Sequence, residues 1–232
     1  MINGKRVLAI IPARGGSKRI PRKNLREIDG LPLFVHTILS AKGCGLIDKI
    51  IVSSDDEEIL AIALENDCDI DKRSADLSGD EATTIEILKD LLNRQTGFDV
   101  LLTLQPTSPL RSSSHIVSAL NFYIEKNADA VISVCKAEHP PHWINTLGDD
   151  FSMSGFVDSK VKNIRSQDLG DFYRLNGAIF CNNLKLVRES DSLLFENNAY
   201  AYIMPRYVSV DIDTIDDFDY AEYLLKKKRN GI

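Results

Sequence analysis

Two groups of residues in this sequence have the types and spacing for chemistry on phosphates. The first is a basic stretch that directly follows an apolar run over residues 7–11 and surrounds the pair Gly15 and Gly16. Its cations are Arg14, Lys18, Arg19, Arg22 and Lys23. Glycines let backbone N–H groups approach an anion closely, so this much positive charge over a glycine turn indicates a polyphosphate ligand. The spacing matches neither the Walker A pattern nor the dinucleotide pattern, and a solvated basic loop is the alternative.

The second group is the carboxylate pair Asp211 and Asp213, which follows a predicted strand over residues 207–210. Alternate residues of an extended segment point to one side, so the two carboxylates are expected on one face, roughly 7 Å apart. Adjacent acids repel unless a cation lies between them, and Mg²⁺ binds through one or two carboxylates plus substrate phosphates. We therefore predict a magnesium site. The alternative is that Asp213 or Thr214 only caps the last helix together with Asp217, which leaves Asp211 unexplained.

The elements that must position these groups alternate between strand and helix. Strands are predicted over residues 7–11, 49–53, 100–104, 130–134, 177–181, 200–204 and 207–210. Helices are predicted over residues 33–41, 56–65, 81–94, 112–126 and 215–228, with residues 68–80 irregular. This alternation predicts an α/β fold with a mostly parallel sheet and helices on both faces. Ligands bind at the carboxyl ends of such strands, where Gln105 stands; its alternative role is to cap a loop.

Local patterns make further predictions about packing. The start of the second helix is expected to be capped by Ser54 and Asp55. The last helix is expected to pack through Ile215, Phe218, Tyr220, Ala221, Leu224 and Leu225.

Composition narrows the class of protein. The chain has 232 residues, of which 44% are hydrophobic and 27% charged, as expected for a globular domain with one elaboration. A net charge of −6 argues against a general nucleic-acid binder. No apolar run approaches the ~18 residues of a membrane span and no signal peptide is recognisable, so a cytoplasmic protein without membrane contact is expected. The 4 cysteines are scattered, which predicts free, mostly buried thiols.

Residues 136–172 interrupt the alternation and are interpreted as an insertion resembling hairpins. His139 and His142 are separated by two prolines, which favours a shaped loop over a metal site. The insertion also contains aromatic residues of the kind enriched at interfaces, namely Trp143, Phe151, Phe156 and Phe172. We therefore predict a homodimer in which this insertion helps to build the neighbour's site.

The segment Ile11-Pro12-Ala13-Arg14-Gly15-Gly16-Ser17-Lys18, followed by Pro21 and Lys23-Asn24, resembles the signature of the CMP-N-acylneuraminate (sialic acid) cytidylyltransferase family. Residues 104–111, 173–179 and 211–214 agree with that family in order and spacing, so the resemblance covers almost the whole chain. It implies a three-layer α/β/α, Rossmann-like nucleotide-diphospho-sugar transferase fold. It also implies a single domain over residues 1–232, with 136–172 reaching a second subunit to close that partner's sugar pocket.

The resemblance implies that CTP and a nine-carbon α-keto acid sugar react to give the CMP-sugar and pyrophosphate, with Mg²⁺. Arg14 and Lys23 would hold the triphosphate, and Asp211 and Asp213 the metal, with Asp211 as a candidate proton acceptor. The nucleotide-binding residues implied are Ala13, Arg14, Gly15, Gly16, Ser17, Lys23, Asn24, Arg73 and Thr84.

The implied sugar-binding residues are Gln105, Arg165, Arg174, Asn176 and Phe180. Arg174 suits a sugar carboxylate, which a guanidinium can bind bidentately. The chain departs from the family where Ser166-Gln167 replaces Arg-Gln, where Phe180 replaces a frequent Tyr, and where Trp143 stands near the place of a missing Lys. A more hydrophobic pocket leaves open a deoxygenated relative such as legionaminate.

Three alternatives remain open. Within the same chemistry, the sugar could be the eight-carbon 3-deoxy-manno-octulosonate. From another class, Asp211-Ile212-Asp213 also fits the Asp-x-Asp metal motif of glycosyltransferases, although the basic loop argues against a diphosphate donor. The third is a non-catalytic nucleotide-binding module.

Overall fold

The computed structural model describes residues 1–79, 82–165 and 168–230. Its strands are β1 (Val7–Pro12), β2 (Glu27–Ile28), β3 (Leu31–Pro32), β4 (Lys49–Ser54), β5 (Asp69–Lys72), β6 (Val100–Thr103), β7 (Ala130–Lys136), β8 (Tyr173–Asn183) and β9 (Ala199–Ile203). Its helices are α1 (Leu33–Lys42), α2 (Glu57–Glu65), α3 (Thr84–Leu92), α4 (Ser113–Glu125), α5 (Leu184–Glu189) and α6 (Ile215–Arg229).

The central sheet has 7 strands in the order β5-β4-β1-β6-β8-β7-β9. Strand β1 is parallel to β4 and β6, β5 is parallel to β4, and β9 is parallel to β7. Only β8 runs antiparallel to its neighbours, β6 and β7, within this described sheet. The predicted mostly parallel sheet is therefore confirmed.

Helices cover both faces of the sheet. This is seen at β1, where successive residues are buried in two different apolar clusters. Val7, Ala9 and Ile11 pack with residues of α1, α2 and α4. Leu8 and Ile10 pack on the other face, with residues of α3 and α5. An apolar run is the expected pattern for a strand buried on both sides, and the result is the predicted three-layer arrangement.

A third apolar cluster anchors the basic loop. Ile20, from that loop, packs with Ile28, Leu33 and Ile212, and with Phe218 and Ala221 of α6. The packing prediction for α6 is therefore right for Phe218 and Ala221, while Ile215 and Tyr220 are exposed and do not pack as expected. Because Ile212 separates Asp211 from Asp213, this cluster fixes the backbone of the carboxylate pair beneath the loop.

Two predictions about strands are wrong. Residues 207–210 form no strand; a 3₁₀ turn spans Arg206–Val208, and Ser209 Oγ donates to the carbonyl of Pro205 at 2.9 Å. Conversely, β5 lies inside the supposedly irregular residues 68–80 and pairs with β4. β5 forms one edge of the sheet, so its polar side chains meet solvent and show no apolar pattern.

Two helix starts also differ from prediction. Helix α3 begins at Thr84, after a capping box formed by Thr83 and Glu86, whereas Glu81 lies outside the described residues. Asp56, rather than Ser54 and Asp55, caps α2. The capping box of Thr214 and Asp217 at α6 is confirmed.

The insertion does not form hairpins. Within the described parts of residues 137–172, the chain forms turns, including the 3₁₀ turn Pro141–Trp143, and no strand. Its apolar side chains Ile144, Phe151 and Met153 are exposed, so the segment has little core of its own to order strands. Ser166 and Gln167 lie outside the described residues.

Two predictions from composition can be compared with the fold. All 4 cysteines are free and buried, as predicted. No helix in the described chain is both long and apolar enough to cross a bilayer.

Candidate active site

The basic loop folds back on itself after β1. The Ala13 N–H donates to the carbonyl of Ser53 at 2.9 Å, which continues the pairing with β4. Asn24 is buried and its Nδ2 donates to the carbonyl of Arg14 at 2.8 Å. Arg22 adopts a left-handed conformation, with φ of 54°, directly before the 3₁₀ turn Lys23–Leu25. This reversal brings Lys23 near Arg14.

Gly15 has a different role from the predicted one. Its N–H donates to Asp55 Oδ1 at 2.9 Å, so this amide is engaged within the protein. A Cβ at Gly15 would lie 2.6 Å from Cβ of Asp56, the cap of α2. Gly15 therefore permits close packing of the loop on α2, which corrects the expectation that its amide faces an anion. Around Gly16 there is open space, and its role as an anion contact stays a prediction.

A cavity of about 220 Å³, here called the loop cavity, opens between the basic loop and α3. It is lined by Pro12, Arg14, Ser17, Lys23, Asn24, Arg73, Ala82, Thr84, Ile87, Gln105, Pro106 and Thr107. The fold thus brings together most of the nucleotide-binding residues implied by the resemblance. Ala13, Gly15 and Gly16 belong to the same loop but do not line the cavity.

Arg73 forms a fixed wall of the loop cavity. Its Nε donates to Ser53 Oγ at 3.0 Å, and its Nη2 donates to the carbonyl of Ser53 at 2.8 Å. Burial lowers the pKa of Arg73, while the nearby carboxylates of Asp55 and Asp71 oppose that change. On the other side, the buried Oδ1 of Asn24 has no hydrogen-bond donor in the described chain, so this acceptor is available to a ligand.

A second cavity, of about 620 Å³, is here called the carboxylate cavity. It is lined by Glu138, Arg174, Arg206, Tyr207, Ser209, Val210, Asp211, Asp213, Asp217 and Tyr220. Both carboxylates of the predicted metal pair line it, although residues 211–213 form no strand. The N–H of Ile212 donates to the carbonyl of Thr107 at 2.9 Å, and this bond ties the pair to the loop after β6.

Lys23 joins the two cavities. Its Nζ donates to the carbonyl of Ile212 at 2.5 Å and lies 3.6 Å from Asp213 Oδ1. Burial lowers the pKa of Lys23, while Asp213 and Asp211 act in the opposite direction. Arg19 also pairs with Asp213, at 3.2 Å. Two cations of the loop, Lys23 and Arg19, are therefore in direct contact with Asp213, one member of the carboxylate pair.

Asp211 is the more enclosed of the two acids. Burial raises the pKa of Asp211, a hydrogen bond with the Thr107 side chain lowers it, and the charge of Asp213 raises it further. A divalent cation between the two acids would relieve this repulsion. The described residues include no cluster of three or more His, Cys, Asp or Glu ligands, so the protein supplies no complete cage. Two hard carboxylates without a cage fit Mg²⁺, which shares its coordination with substrate phosphates and water.

Gln105 and Gly177 meet Asp211 where the two cavities adjoin. Gly177 has φ of 70°, and a Cβ there would lie 2.8 Å from Gln105 Oε1 and 3.3 Å from Asp211 Oδ2. Only a residue without a side chain fits between these groups. The predicted sheet-mouth position of Gln105 is therefore next to the carboxylate pair.

Of the other predicted sugar-binding residues, only Arg174 lines one of the two cavities. Arg174 lines the carboxylate cavity, pairs with Glu138 at 3.4 Å and donates to the carbonyl of Ser209 at 3.4 Å. Asn176 is only 1% exposed and lies beneath the cavity wall. Phe180, in the middle of β8, and the exposed Arg165 line neither cavity.

Sequence reasoning missed part of the carboxylate cavity. Glu138 pairs with both Arg174 and Arg206, the latter at 3.1 Å. Tyr207 and Tyr220 add two exposed aromatic rings. Tyr207 was assigned to the predicted strand over residues 207–210 and Arg206 to no element, and the polar and aromatic character of this pair near Asp211 was the available signal.

Comparisons with known proteins identify sequences that are similar to this chain over most of its length. The sequence model of the family described as Cytidylyltransferase matches residues 8–229. An N-acylneuraminate cytidylyltransferase of Streptococcus agalactiae serotype V is 37% identical over 97% of this chain, and the chain spans 56% of that protein. The chain thus spans about half the length of the first curated relatives it matches.

Two further relatives are spanned almost completely. The pseudaminic acid cytidylyltransferase of Campylobacter jejuni serotype O:2 is 33% identical, with 94% of this chain and 96% of that protein covered. The CMP-N,N'-diacetyllegionaminic acid synthase of Legionella pneumophila is 32% identical, with 98% and 99% covered.

Solved structures confirm the fold. The structure of CMP:2-keto-3-deoxy-manno-octonic acid synthetase complexed with CTP superimposes with a TM-score of 0.73 at 15% identity, over 96% of this chain and 99% of that one. The 4-diphosphocytidyl-2C-methyl-D-erythritol synthase of Anaerococcus prevotii gives a TM-score of 0.65 at 21% identity, over 97% and 100%. At these identities the likeness shows the Rossmann-like fold alone.

Proposed function

This chain belongs to the cytidylyltransferase family, and from that premise we propose that it transfers CMP from CTP to the anomeric hydroxyl of a nine-carbon α-keto acid sugar. The sugar oxygen attacks the α-phosphorus, the bond from the α-phosphorus to the β-phosphate oxygen breaks, and pyrophosphate leaves. The observation that carries the proposal is the contact of Lys23, which lines the loop cavity, with Asp213, which lines the carboxylate cavity, and with the carbonyl of Ile212 between the two acids.

In this proposal the loop cavity binds CTP. Arg14 and Lys23 line it and would hold the triphosphate, because charge accumulates on its oxygens as pyrophosphate leaves. Arg73 and Thr84 would contact the nucleoside, with Arg73 already fixed by Ser53. The unpaired Oδ1 of Asn24 would accept a hydrogen bond from the nucleotide.

The carboxylate cavity would bind the sugar and prepare its hydroxyl. Arg174 would take the sugar carboxylate and exchange its long contact with Glu138 for a bidentate one. Gln105 lies next to Asp211 and would orient the sugar at the junction. Asp211, partly buried there, would accept the proton of the attacking hydroxyl.

Asp211 and Asp213 would hold Mg²⁺, which supplies Lewis-acid stabilisation of phosphate charge when it is bound. The two acids fit this ion because they are hard ligands in an incomplete shell. Lys23 and Arg19 presently compensate the charge of Asp213.

We also propose that the protein works in the cytoplasm as a homodimer. The exposed apolar residues Ile144, Leu147, Phe151 and Met153 of the insertion support a partner surface. Arg165 lines neither cavity of one chain, and a sugar contact made by it in the second subunit would agree with this arrangement.

Pyrophosphate release tests the proposal. The enzyme is given each of the four common ribonucleoside triphosphates with N-acetylneuraminate, N,N'-diacetyllegionaminate, pseudaminate or 3-deoxy-manno-octulosonate, with and without Mg²⁺. We expect release only with CTP, Mg²⁺ and a nine-carbon acid. Preference for the eight-carbon acid would support the alternative sugar. Release of a nucleoside diphosphate from a nucleotide sugar would indicate a glycosyltransferase, and binding of CTP without turnover would indicate a binding module.

A further inference from the structure

Arg111 is a buried cation that none of the roles above uses. It stands at the end of the segment 104–111 and is 2% exposed. Its Nη1 donates to the carbonyl of Gln105 at 3.1 Å and to the carbonyl of Ala178 at 2.8 Å, and its Nε donates to Ser40 Oγ at 3.4 Å. All its hydrogen-bond acceptors within the described chain are uncharged, and its Nη2 has none. Burial lowers the pKa of Arg111 to about 9.

A buried cation without a carboxylate partner is unfavourable for folding. An apolar side chain of similar size would avoid the cost of removing the charge from water. Positions that break such a local rule are frequently functional. One acceptor of Arg111 is the backbone of Gln105, which lines the loop cavity.

One acceptor, Ala178, lies in an irregular part of β8. Pairing with β7 joins Ile132 to Phe180 but Val134 to Leu175, so the register shifts between these points. Side chains hold the backbone where regular pairing fails: Ser133 Oγ accepts from the N–H of Ile179 at 2.7 Å. Irregularities of this kind re-aim residues next to active sites.

The irregular part of β8, residues 176–179, is here called the bulge. Asn176 holds it from within, because its Oδ1 accepts from the N–H of Ala178 at 3.2 Å and its Nδ2 donates to Ser209 Oγ at 2.9 Å. Gly177 is the residue of the bulge that faces Gln105 Oε1 and Asp211 Oδ2. The same Nη1 of Arg111 therefore binds the backbone of Gln105 and the backbone next to Gly177.

We propose that Arg111 is a positioning residue for the transfer reaction, holding Gln105 and the bulge together so that Gln105, Gly177 and Asp211 keep their arrangement at the junction of the two cavities. This inference rests on the proposed function. Arg111 touches no substrate; it acts through two backbone carbonyls, and a single guanidinium nitrogen sets their separation.

Two substitutions test the role. Arg111→Met keeps most of the side-chain volume but removes the N–H donors of Nη1 and Nε. Arg111→Lys keeps the positive charge, but its ammonium lacks the planar fork of the guanidinium. Arg188→Met is the matched control, because Nη2 of Arg188 donates to a backbone carbonyl, that of Gln95, away from both cavities. Turnover with CTP and the preferred sugar acid is measured together with thermal stability and amide hydrogen exchange.

We expect Arg111→Met to lower kcat/KM for the sugar acid roughly 10²-fold, the size of effect that small displacements of reacting groups produce. The KM for CTP should change little, Arg111→Lys should be intermediate and Arg188→Met near wild type. With Gln105→Ala added, the loss should be clearly smaller than the product of the two single losses, because both changes act on one unit. Exchange should accelerate at the amides of Ala178 and Ile179.

Equal turnover in wild type and Arg111→Met, at a temperature where both are folded, would overturn the proposal. So would an acceleration of exchange spread evenly over the sheet, since it would show a role in global stability only. If wild type itself shows no turnover, the proposed function fails; the exchange pattern of Arg111→Lys, which retains the buried charge, then still decides whether Arg111 holds the bulge. Should Arg111→Met fail to fold, the kinetic and exchange results of Arg111→Lys decide in the same way.

Discussion

The loop cavity and the carboxylate cavity are built in different ways. The loop cavity draws on four separate parts of the chain, residues 12–24, Arg73, residues 82–87 and residues 105–107, and Arg73 in its wall is buried and fixed. The carboxylate cavity is larger, about 620 Å³ against 220 Å³, and most of its lining comes from one stretch, residues 206–220, joined by Glu138 and Arg174. Two of its aromatic residues, Tyr207 and Tyr220, are 65% and 53% exposed. The wall of the loop cavity is held in place at Arg73, whereas the carboxylate cavity has exposed aromatic side chains in its lining.

This difference agrees with the relatives. Their printed names share the cytidylyl or CMP chemistry but differ in the sugar acid: N-acylneuraminate, pseudaminate or diacetyllegionaminate. A rigid site for a common nucleotide and an open site for a variable sugar would allow such divergence. Substitutions can test the comparison, because each should affect CTP, the sugar, or both.

Asp211→Asn should have the largest effect, since Asp211 lines the carboxylate cavity where it adjoins the loop cavity. We expect kcat to fall by about 10³-fold or more with the fold intact, because an amide neither balances a divalent cation nor accepts the proton. Turnover is measured over a range of Mg²⁺ concentrations, with circular dichroism to check folding. The exposed Asp216→Asn, in the first turn of α6, is the control. Near-normal turnover at millimolar Mg²⁺ would contradict the metal assignment.

Lys23→Ala and Arg14→Ala should act on the nucleotide. We expect kcat/KM for CTP to fall about 10²-fold through lost stabilisation of phosphate charge. Steady-state kinetics with CTP as the varied substrate measure this effect, and Lys42→Ala, at the end of α1 and in the lining of neither cavity, is the control. If both variants kept wild-type kinetics, the basic loop would be only a solvated surface.

Arg174→Ala should distinguish the substrate of the carboxylate cavity from that of the loop cavity. We expect the KM for the sugar acid to rise roughly tenfold to a hundredfold, the worth of a charge-assisted bidentate contact, with the KM for CTP unchanged. Arg174→Lys should recover only part of the loss, because an ammonium cannot form the planar pair. An equal rise in both KM values would place Arg174 in general support of the fold instead.

The oligomeric state decides whether the carboxylate cavity is completed by a second subunit. Light scattering should give a dimer, and mixing Lys23→Ala with Trp143→Ala should restore part of the activity that each lacks alone. Mixing Lys23→Ala with Asp211→Asn is the control, because both changes damage the site built from one chain. A strictly monomeric active enzyme at assay concentration would refute the shared site.

Thr214→Ala should have the smallest effect, on the stability of α6 beside the carboxylate cavity. Loss of the cap should lower the free energy of unfolding by about 1 kcal/mol in urea denaturation. Burial favours a higher pKa for Asp217, but hydrogen bonds from Thr214 and Asp213 outweigh it and hold that pKa below its usual value.

The sign of this last effect with pH follows from the lowered pKa. The stability contributed by Asp217 is present above its unfolded pKa and is lost as the pH falls through the folded value. The difference between wild type and Thr214→Ala should therefore shrink in acid. Thr96→Ala, in the exposed segment between α3 and β6, should show no such dependence.

Sequence alone determined the features that depend on neighbours in the chain. The apolar run of β1 and the capping box of α6 were both predicted, because periodicity and capping are local. The strand predicted over residues 207–210 failed for a complementary reason: an apolar alternation of four residues does not require pairing, and a turn satisfied its backbone instead.

Tertiary structure decided which polar groups meet. Lys23 binds the carbonyl of Ile212, 189 residues further along the chain, and no local pattern contains that contact. The position of Asn176 in its motif does not reveal whether its side chain faces a sugar or lies buried against Ser209. Only the packing of the folded chain places it below the surface. The Gly15 amide and the Arg111 guanidinium likewise form hydrogen bonds with groups that the folded sheet brings close. Residue types set the available chemistry, and the distances that make a site arise from long-range packing.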